Sequence, residues 1–145
     1  MTTKEAVFYY WAGYFAAQFK IHNLKVVRDN RIIGLAEADW TKRSARIAYS
    51  AKEINKCPQW EVMDTVIHEL AHIRQNLPYN TEEEQIYSEY RAEKFAIDHL
   101  RKLFPRYYHL AVRGMQAALK NKTKTASWGR VHHEAYRKVY AKLVP

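Results

Sequence analysis

The stretch TVIHELAHIRQ, residues 65–75, decides the fold and the site that we expect for this chain. Val62, Val66, Leu70 and Ile73 recur at helical spacing and predict an amphipathic helix that starts at about Pro58 and is stopped by Asn76 and Pro78. On such a helix His68 and His72 lie one turn apart on the same face, so each can direct a ring nitrogen at one ion. The stretch therefore predicts a helix that carries a metal site.

Glu69 directly follows the first histidine of this stretch. It lies about 100° around the helix from His68, so it can reach a water on the ion without binding the ion itself. Two imidazoles that hold zinc, with a glutamate as base toward the zinc water, form the HExxH arrangement. Zinc lowers the pKa of that water to around 7. We therefore predict Glu69 as the catalytic base.

A catalytic zinc needs a third protein ligand. Thr81 followed by Glu84 predicts a capping box that opens a second long helix, running to about Leu103. Within it Glu89 and Glu93 lie one turn apart on one face. We assign Glu89 to the metal, and we expect Glu93 to accept a hydrogen bond from the remote ring nitrogen of a ligating histidine.

A second candidate for the third ligand lies near the C-terminus. His132 stands four residues before Tyr136, so an aromatic ring backs it on the same helix face. Both Glu89 and His132 stay open at this point. The other histidines outside the motif, His22, His99 and His109, show no partner pattern and are expected to be structural or exposed.

Two segments precede the HExxH helix. Residues 31–50 alternate apolar and polar residues around the turn TKRS and predict a β-hairpin. A helix is predicted from about Lys4 to Lys20, with its aromatic residues in the core. The core positions expected on that helix are Val7, Tyr10, Trp11, Tyr14 and Phe15.

The last third of the chain is predicted to be helical, with helices over 106–120 and 131–143 and a polar loop over 121–129. With 145 residues, 48% hydrophobic and 27% charged, the chain suits one globular domain over 1–145. We expect an α+β fold, mostly helical, with one small hairpin or sheet before the HExxH helix.

The composition also limits the chemistry and the location. Cys57 is the one cysteine, so an internal disulfide and a thiolate metal site are excluded. Any metal must be held by histidine and carboxylate. The apolar run over 6–17 is too short to span a bilayer, so we expect a cytoplasmic protein with no membrane partner.

The net charge of +9 is concentrated in the last third. Residues 1–100 hold 13 Lys and Arg against 14 Asp and Glu, whereas residues 101–145 hold 11 against one. This basic C-terminal part suggests DNA or RNA as a partner, through residues such as Arg130, Arg137 and Lys138. The alternative is a solvated basic face without a partner.

The motifs resemble those of zincin-type metallopeptidases. HELAH followed by ExxAE, with Glu89 seventeen residues after His72, resembles the gluzincins, whose third ligand is the glutamate of ExxAD or ExxAN. The hairpin GLAEADWTKRSARIAYS and the later HHEAYRK instead resemble SprT-like proteases, DNA-associated enzymes whose third ligand is a histidine in HGxxW or HGxxF. This chain has His133 where those enzymes have glycine. Small phage-encoded metallopeptidases with basic C-terminal helices are also similar in layout.

These features together predict a zinc-dependent metallopeptidase that hydrolyses a protein or peptide substrate, with nucleic acid as a further partner. An extended substrate would pair with the hairpin edge between Arg31 and Ser50. Two alternatives stay open. One is a basic nucleic-acid-binding module in which zinc is structural or absent, and the other is a host-protein-binding adaptor that keeps a zincin fold without turnover.

Overall fold

The computed structural model describes residues 1–40, 45–120 and 122–143, with side chains described outside 122–128. The chain forms two compact units, Met1–Asn76 and Leu77–Pro145. The first contains α1 (Thr3–Gln18), β1 (Lys25–Arg28), β2 (Ala36–Asp39), β3 (Arg46–Tyr49), α2 (Ala51–Ile54) and α3 (Gln59–Gln75). The second contains α4 (Glu82–Leu103), α5 (Pro105–Lys120) and α6 (Lys122–Leu143). The predicted fold class, mostly helical α+β, is confirmed.

The buried face of α1 differs from the predicted one. Phe8 and Phe15 are buried, whereas Tyr10 and Tyr14 are 64% and 43% exposed, so the predicted aromatic core of this helix is partly wrong. Phe8 and Phe15 satisfy helical spacing, and so do Tyr10 and Tyr14. Spacing alone therefore does not determine which of the two pairs is buried. The packed face also includes the carboxylate of Glu5, which is buried because it accepts a hydrogen bond of 2.8 Å from the Tyr49 hydroxyl.

The predicted hairpin is present as β2 and β3, which pair antiparallel with Ala38 opposite Ile47. Its turn, residues 41–44, lies outside the described residues. A further strand, β1, was not predicted and pairs in parallel with β3, which gives the strand order β1-β3-β2. Strand β3 is therefore central, and the open edge of the hairpin belongs to β2.

Helix α3 begins after Pro58 and ends before Asn76, the C-cap, whose φ of 46° and ψ of 51° are left-handed. Both boundaries agree with the sequence, since proline suits a helix start and asparagine tolerates this conformation at a helix end. Val62, Val66 and Leu70 are buried, as the apolar stripe predicts. The helix packs against α1 and against β2.

In the second unit, α4 starts with the predicted capping box, in which the Glu84 amide donates to the Thr81 hydroxyl and the Thr81 amide donates to the Glu84 carboxylate. Helix α4 packs against α5 and α6. The loop predicted over 121–129 is wrong for most of its length, because α6 begins at Lys122 and is interrupted at Gly129, where φ is 77°. Glycine adopts this backbone conformation without steric cost.

Candidate metal centre

The two histidines of the HExxH motif are brought together by α3. The Nε2 atoms of His68 and His72 lie 3.2 Å apart, and their ring planes are inclined by 76°. The continuous helix produces this approach, because residues four apart are neighbours on one face. The first unit therefore brings two imidazole nitrogens within hydrogen-bonding distance of each other.

The separation of these nitrogens suits a zinc ion. At Zn–N distances of about 2.0–2.1 Å and a tetrahedral angle, two ligand nitrogens lie about 3.3–3.4 Å apart. The 3.2 Å between His68 Nε2 and His72 Nε2 is close to that value. The distance is compatible with two ligands of one tetrahedral ion, and it is equally the length of a hydrogen bond from one ring N–H to the other ring nitrogen.

Trp40, at the end of β2, fixes the orientation of one of these rings. Its indole stacks on the His72 imidazole with 4.3 Å between ring centroids and 10° between planes. His72 is only 2% exposed, so its ring has little freedom to turn toward solvent. The hairpin thus contributes to the site by packing against a ligand candidate on α3.

Glu69 lies on α3 directly after His68 and is buried. A carboxylate that is shielded from bulk solvent can act as a general base, because it can take a proton directly from a reacting water molecule. Its role as base stays a prediction.

The predicted carboxylate ligand lies in the second unit. Glu89 is 5% exposed on α4, and each of its oxygens has a neighbour. The Tyr79 hydroxyl donates to Glu89 Oε2 at 2.5 Å, while His132 Nε2 lies 3.5 Å from Glu89 Oε1. The two candidates for the third ligand, Glu89 and His132, are therefore side by side rather than at separate places.

Tyr79 is a residue that the sequence analysis missed. It stands in the segment before α4, outside any helical repeat, so no periodic pattern singles it out among the eleven tyrosines. Its phenol orients the Glu89 carboxylate through a charge-assisted hydrogen bond. Glu93, one turn further along α4, is 2% exposed, and its predicted hydrogen bond to a ligating histidine stays a prediction.

The basic residues predicted to contact nucleic acid lie on α6 and have different surroundings. Arg130 Nε lies 3.0 Å from Glu82 Oε1, and Arg137 Nη2 donates to Glu134 Oε2 at 2.9 Å. The hydrogen bond from Arg137 lowers the pKa of the Glu134 carboxyl. Lys138 is exposed.

The remaining histidines behave as expected for structural or surface groups. His22 and His109 are exposed. His99 Nδ1 lies 2.9 Å from the carbonyl oxygen of Phe95, one turn earlier on α4. This contact occupies the ring nitrogen within its own helix.

Cys57 is a buried thiol that donates to the Glu53 carbonyl oxygen at 3.2 Å. Burial, and then the negative charge of Glu61, raises its pKa to about 12. A thiol with this pKa is protonated at neutral pH and is a poor nucleophile and metal ligand. The nucleophile of any hydrolysis must therefore be water or another side chain.

Comparison with known proteins finds no matching family model, no matching curated protein and no matching solved structure. Among the described residues, no helix combines the length and the apolar character that crossing a bilayer requires.

Proposed function

We propose that the chain is a zinc-dependent metallopeptidase in which His68, His72 and Glu89 bind the ion. The observation that carries this proposal is the 3.2 Å approach of two imidazole Nε2 atoms on one helix face. Histidine and carboxylate are the ligand types of catalytic zinc sites that leave a position open for water. The proposal is compatible with a chain whose one thiol is buried and protonated.

Glu89 is a better third ligand than His132 on grounds of burial and support. Its carboxylate is buried, and the hydrogen bond from the Tyr79 hydroxyl to Oε2 holds its orientation. The His132 side chain is 44% exposed. A ligand whose orientation is held by a hydrogen bond loses less conformational entropy on binding. We assign His132 to a supporting position beside Glu89.

The residues of α3 would divide the chemistry between them. When bound, zinc supplies a Lewis acid that makes water nucleophilic near neutral pH and polarises a carbonyl. The Glu69 carboxylate would take the proton from the attacking water and pass it to the leaving amine. His68 and His72 would serve as neutral ligands, with the His72 ring held by Trp40. The substrate class is a peptide, and an extended segment would pair with the open edge of β2.

Metal analysis tests the ligand set directly. The protein, purified without chelators, should contain one zinc ion per chain when its metal content is measured by elemental mass spectrometry. His68→Ala, His72→Ala and Glu89→Ala should each lose it, whereas His132→Ala and the exposed control His22→Ala should retain it. A parent protein without zinc would overturn the proposal and indicate that the two imidazoles share a hydrogen bond instead.

A second experiment tests catalysis separately from metal binding. Glu69→Gln should retain zinc and lose cleavage of a quenched fluorescent peptide library, by about 10²-fold or more for a missing general base. Glu83→Gln, an exposed change of the same kind on α4, should leave cleavage unchanged. If Glu69→Gln cleaves like the parent, the base is wrongly assigned. A zinc-loaded parent that cleaves no peptide would favour the adaptor without turnover.

A further inference from the structure

The outward face of α5 carries a stripe of basic side chains. Arg106, Arg113 and Lys120 are spaced by seven residues, which places them on one face of the helix, and all three are exposed. Helix α5, residues 105–120, contains no aspartate or glutamate. We call these three residues the α5 basic stripe.

The packing of α5 fixes the direction of this stripe. Ala111, Met115 and Ala118 are buried on the opposite side of the helix. The helix packs through them within the second unit, against α4 and α6. The α5 basic stripe therefore points to solvent and is held by a rigid element.

The charges of the stripe are not neutralised by neighbours. No carboxylate among the described side chains, those of residues 1–40, 45–120 and 129–143, forms an ion pair with a member of the α5 basic stripe. On α6, by contrast, Arg130 and Arg137 each contact a glutamate. Uncompensated charges on one rigid face attract an extended anion more strongly than charges that are already paired.

We propose that the α5 basic stripe binds the phosphate backbone of a nucleic-acid duplex, independently of the zinc site. From Arg106 to Lys120 the helix extends about 21 Å, which corresponds to about six base pairs of a duplex. Neighbouring members of the stripe lie about 10.5 Å apart along the helix axis, so each can face a different phosphate. This binding does not require the proposed peptidase activity.

The character of the face favours a duplex over the other polyanions. Single strands are bound by grooves in which several exposed aromatic rings stack on successive bases, whereas on α5 Tyr107 and Tyr108 are half-buried and His109 is the one exposed ring. A helix that lies in a membrane surface directs a row of bulky apolar residues into the lipid, whereas α5 exposes one such residue, Leu110, and buries Ala111, Met115 and Ala118 in the unit. Backbone contacts of this kind read no base sequence.

The test measures binding of the full chain to a fluorescent 20-base-pair DNA duplex over a salt series. The triple variant Arg106→Gln, Arg113→Gln, Lys120→Gln changes only exposed side chains and keeps good helix formers. If each member contacts one phosphate, the slope of log affinity against log salt should become shallower by about 2.7. Between 50 and 200 mM salt, these contacts account for about a 40-fold loss of affinity in the parent.

A matched control distinguishes the effect of the α5 basic stripe on binding from the effect of a lower net charge. The variant Lys25→Gln, Arg46→Gln, Lys52→Gln removes the same charge from exposed positions of the first unit and should keep the parent slope. The proposal is overturned if the two triple variants behave alike, if the parent does not bind the duplex, or if it binds the single strand more tightly. Binding to phosphatidylserine vesicles without binding to the duplex would also overturn it, in favour of a membrane surface.

Discussion

The Trp40 indole lies parallel to the His72 imidazole, with 4.3 Å between ring centroids. Trp40 follows β2 and His72 lies in the last turns of α3, so this stack joins the small sheet to the helix that carries the histidine pair. Because His68 Nε2 lies 3.2 Å from His72 Nε2, a ring held by Trp40 also sets the geometry of the pair. The hairpin is therefore part of the proposed metal site and not only a neighbour in sequence.

Replacing Trp40 by alanine should weaken zinc binding without removing a ligand. A stacked aromatic pair contributes about 0.5–1.5 kcal/mol beyond its buried area, which corresponds to about two- to tenfold in affinity. Competition with a fluorescent chelator measures the change. Trp40→Phe, which keeps a ring at this position, should recover most of the affinity.

Trp60→Phe is the control for this prediction, because Trp60 lies in the first turn of α3, away from the histidine pair. It should bind zinc like the parent. If Trp40→Ala also binds zinc with the affinity of the parent, the stack does not orient His72 in the bound form.

Tyr79→Phe should affect zinc through Glu89. The substitution removes the donor 2.5 Å from Glu89 Oε2 and leaves a buried carboxylate oxygen without that hydrogen bond. Groups that hydrogen-bond to a metal ligand typically change metal affinity by about 10- to 100-fold when they are lost. We expect a loss of about tenfold by chelator competition, and none for Tyr87→Phe, which alters an exposed tyrosine of α4. Unchanged zinc affinity in Tyr79→Phe would count against Glu89 as a ligand.

The sequence predicted those parts of the structure that depend on local signals. The histidine pair, the ends of α3 at Pro58 and Asn76, and the Thr81 capping box follow from residue spacing and backbone preference. Parts that depend on contacts distant in sequence were missed. The strand β1 is four residues long and is defined by its parallel pairing with β3, and Tyr79 is defined by its contact with Glu89.

The buried face of α1 shows a different limit of prediction from sequence. Its helix has aromatic residues on more than one face, so the periodic pattern is compatible with two orientations. The observed orientation buries Phe8 together with Glu5, a residue that hydrophobic patterning assigns to solvent. The carboxylate is accommodated because Tyr49 and the Thr2 amide donate hydrogen bonds to it, and those partners are not apparent from spacing.

Cys57 should be nearly unreactive in the folded protein. Its pKa of about 12, against an ordinary value of 9.0, lowers the thiolate fraction at pH 8 by about a thousandfold. Labelling with a thiol-specific disulfide reagent should therefore be slower by at least that factor than in urea, and Cys57→Ser should give no labelling. Native protein that reacts as fast as denatured protein would show that the thiol is accessible.

Thr81→Ala should destabilise the second unit by removing one half of the capping box. The Thr81 hydroxyl accepts from the Glu84 amide at 3.1 Å, and alanine cannot replace it. Loss of a helix N-cap costs about 1 kcal/mol of the free energy of unfolding. Urea denaturation followed by circular dichroism measures this cost, and Thr81→Ser should restore most of it. Equal stability of the alanine and serine variants would contradict the assigned cap.

Tyr49→Phe should change the dependence of stability on acid. The Thr2 amide, followed by the Tyr49 hydroxyl, lowers the pKa of Glu5 below its ordinary value of 4.5. A lowered pKa stabilises the folded state above pH 4.5, and this stabilisation is lost as the pH falls through the folded pKa. Without the Tyr49 hydroxyl, the pKa of Glu5 rises toward 4.5. The contribution of ionised Glu5 to the free energy of unfolding then becomes smaller, and it is lost at a higher pH than in the parent.

Urea denaturation at a series of pH values measures this effect. Tyr49→Phe should be less stable than the parent at pH 7, and the difference should shrink as the pH falls below 4.5, because a protonated Glu5 no longer strengthens the hydrogen bond from Tyr49. Tyr10→Phe removes a hydroxyl from an exposed side chain of the same helix as Glu5 and should match the parent at every pH. A difference between Tyr49→Phe and the parent that stays constant from pH 7 to pH 2 would mean that the hydroxyl stabilises the fold without any preference for the ionised carboxylate.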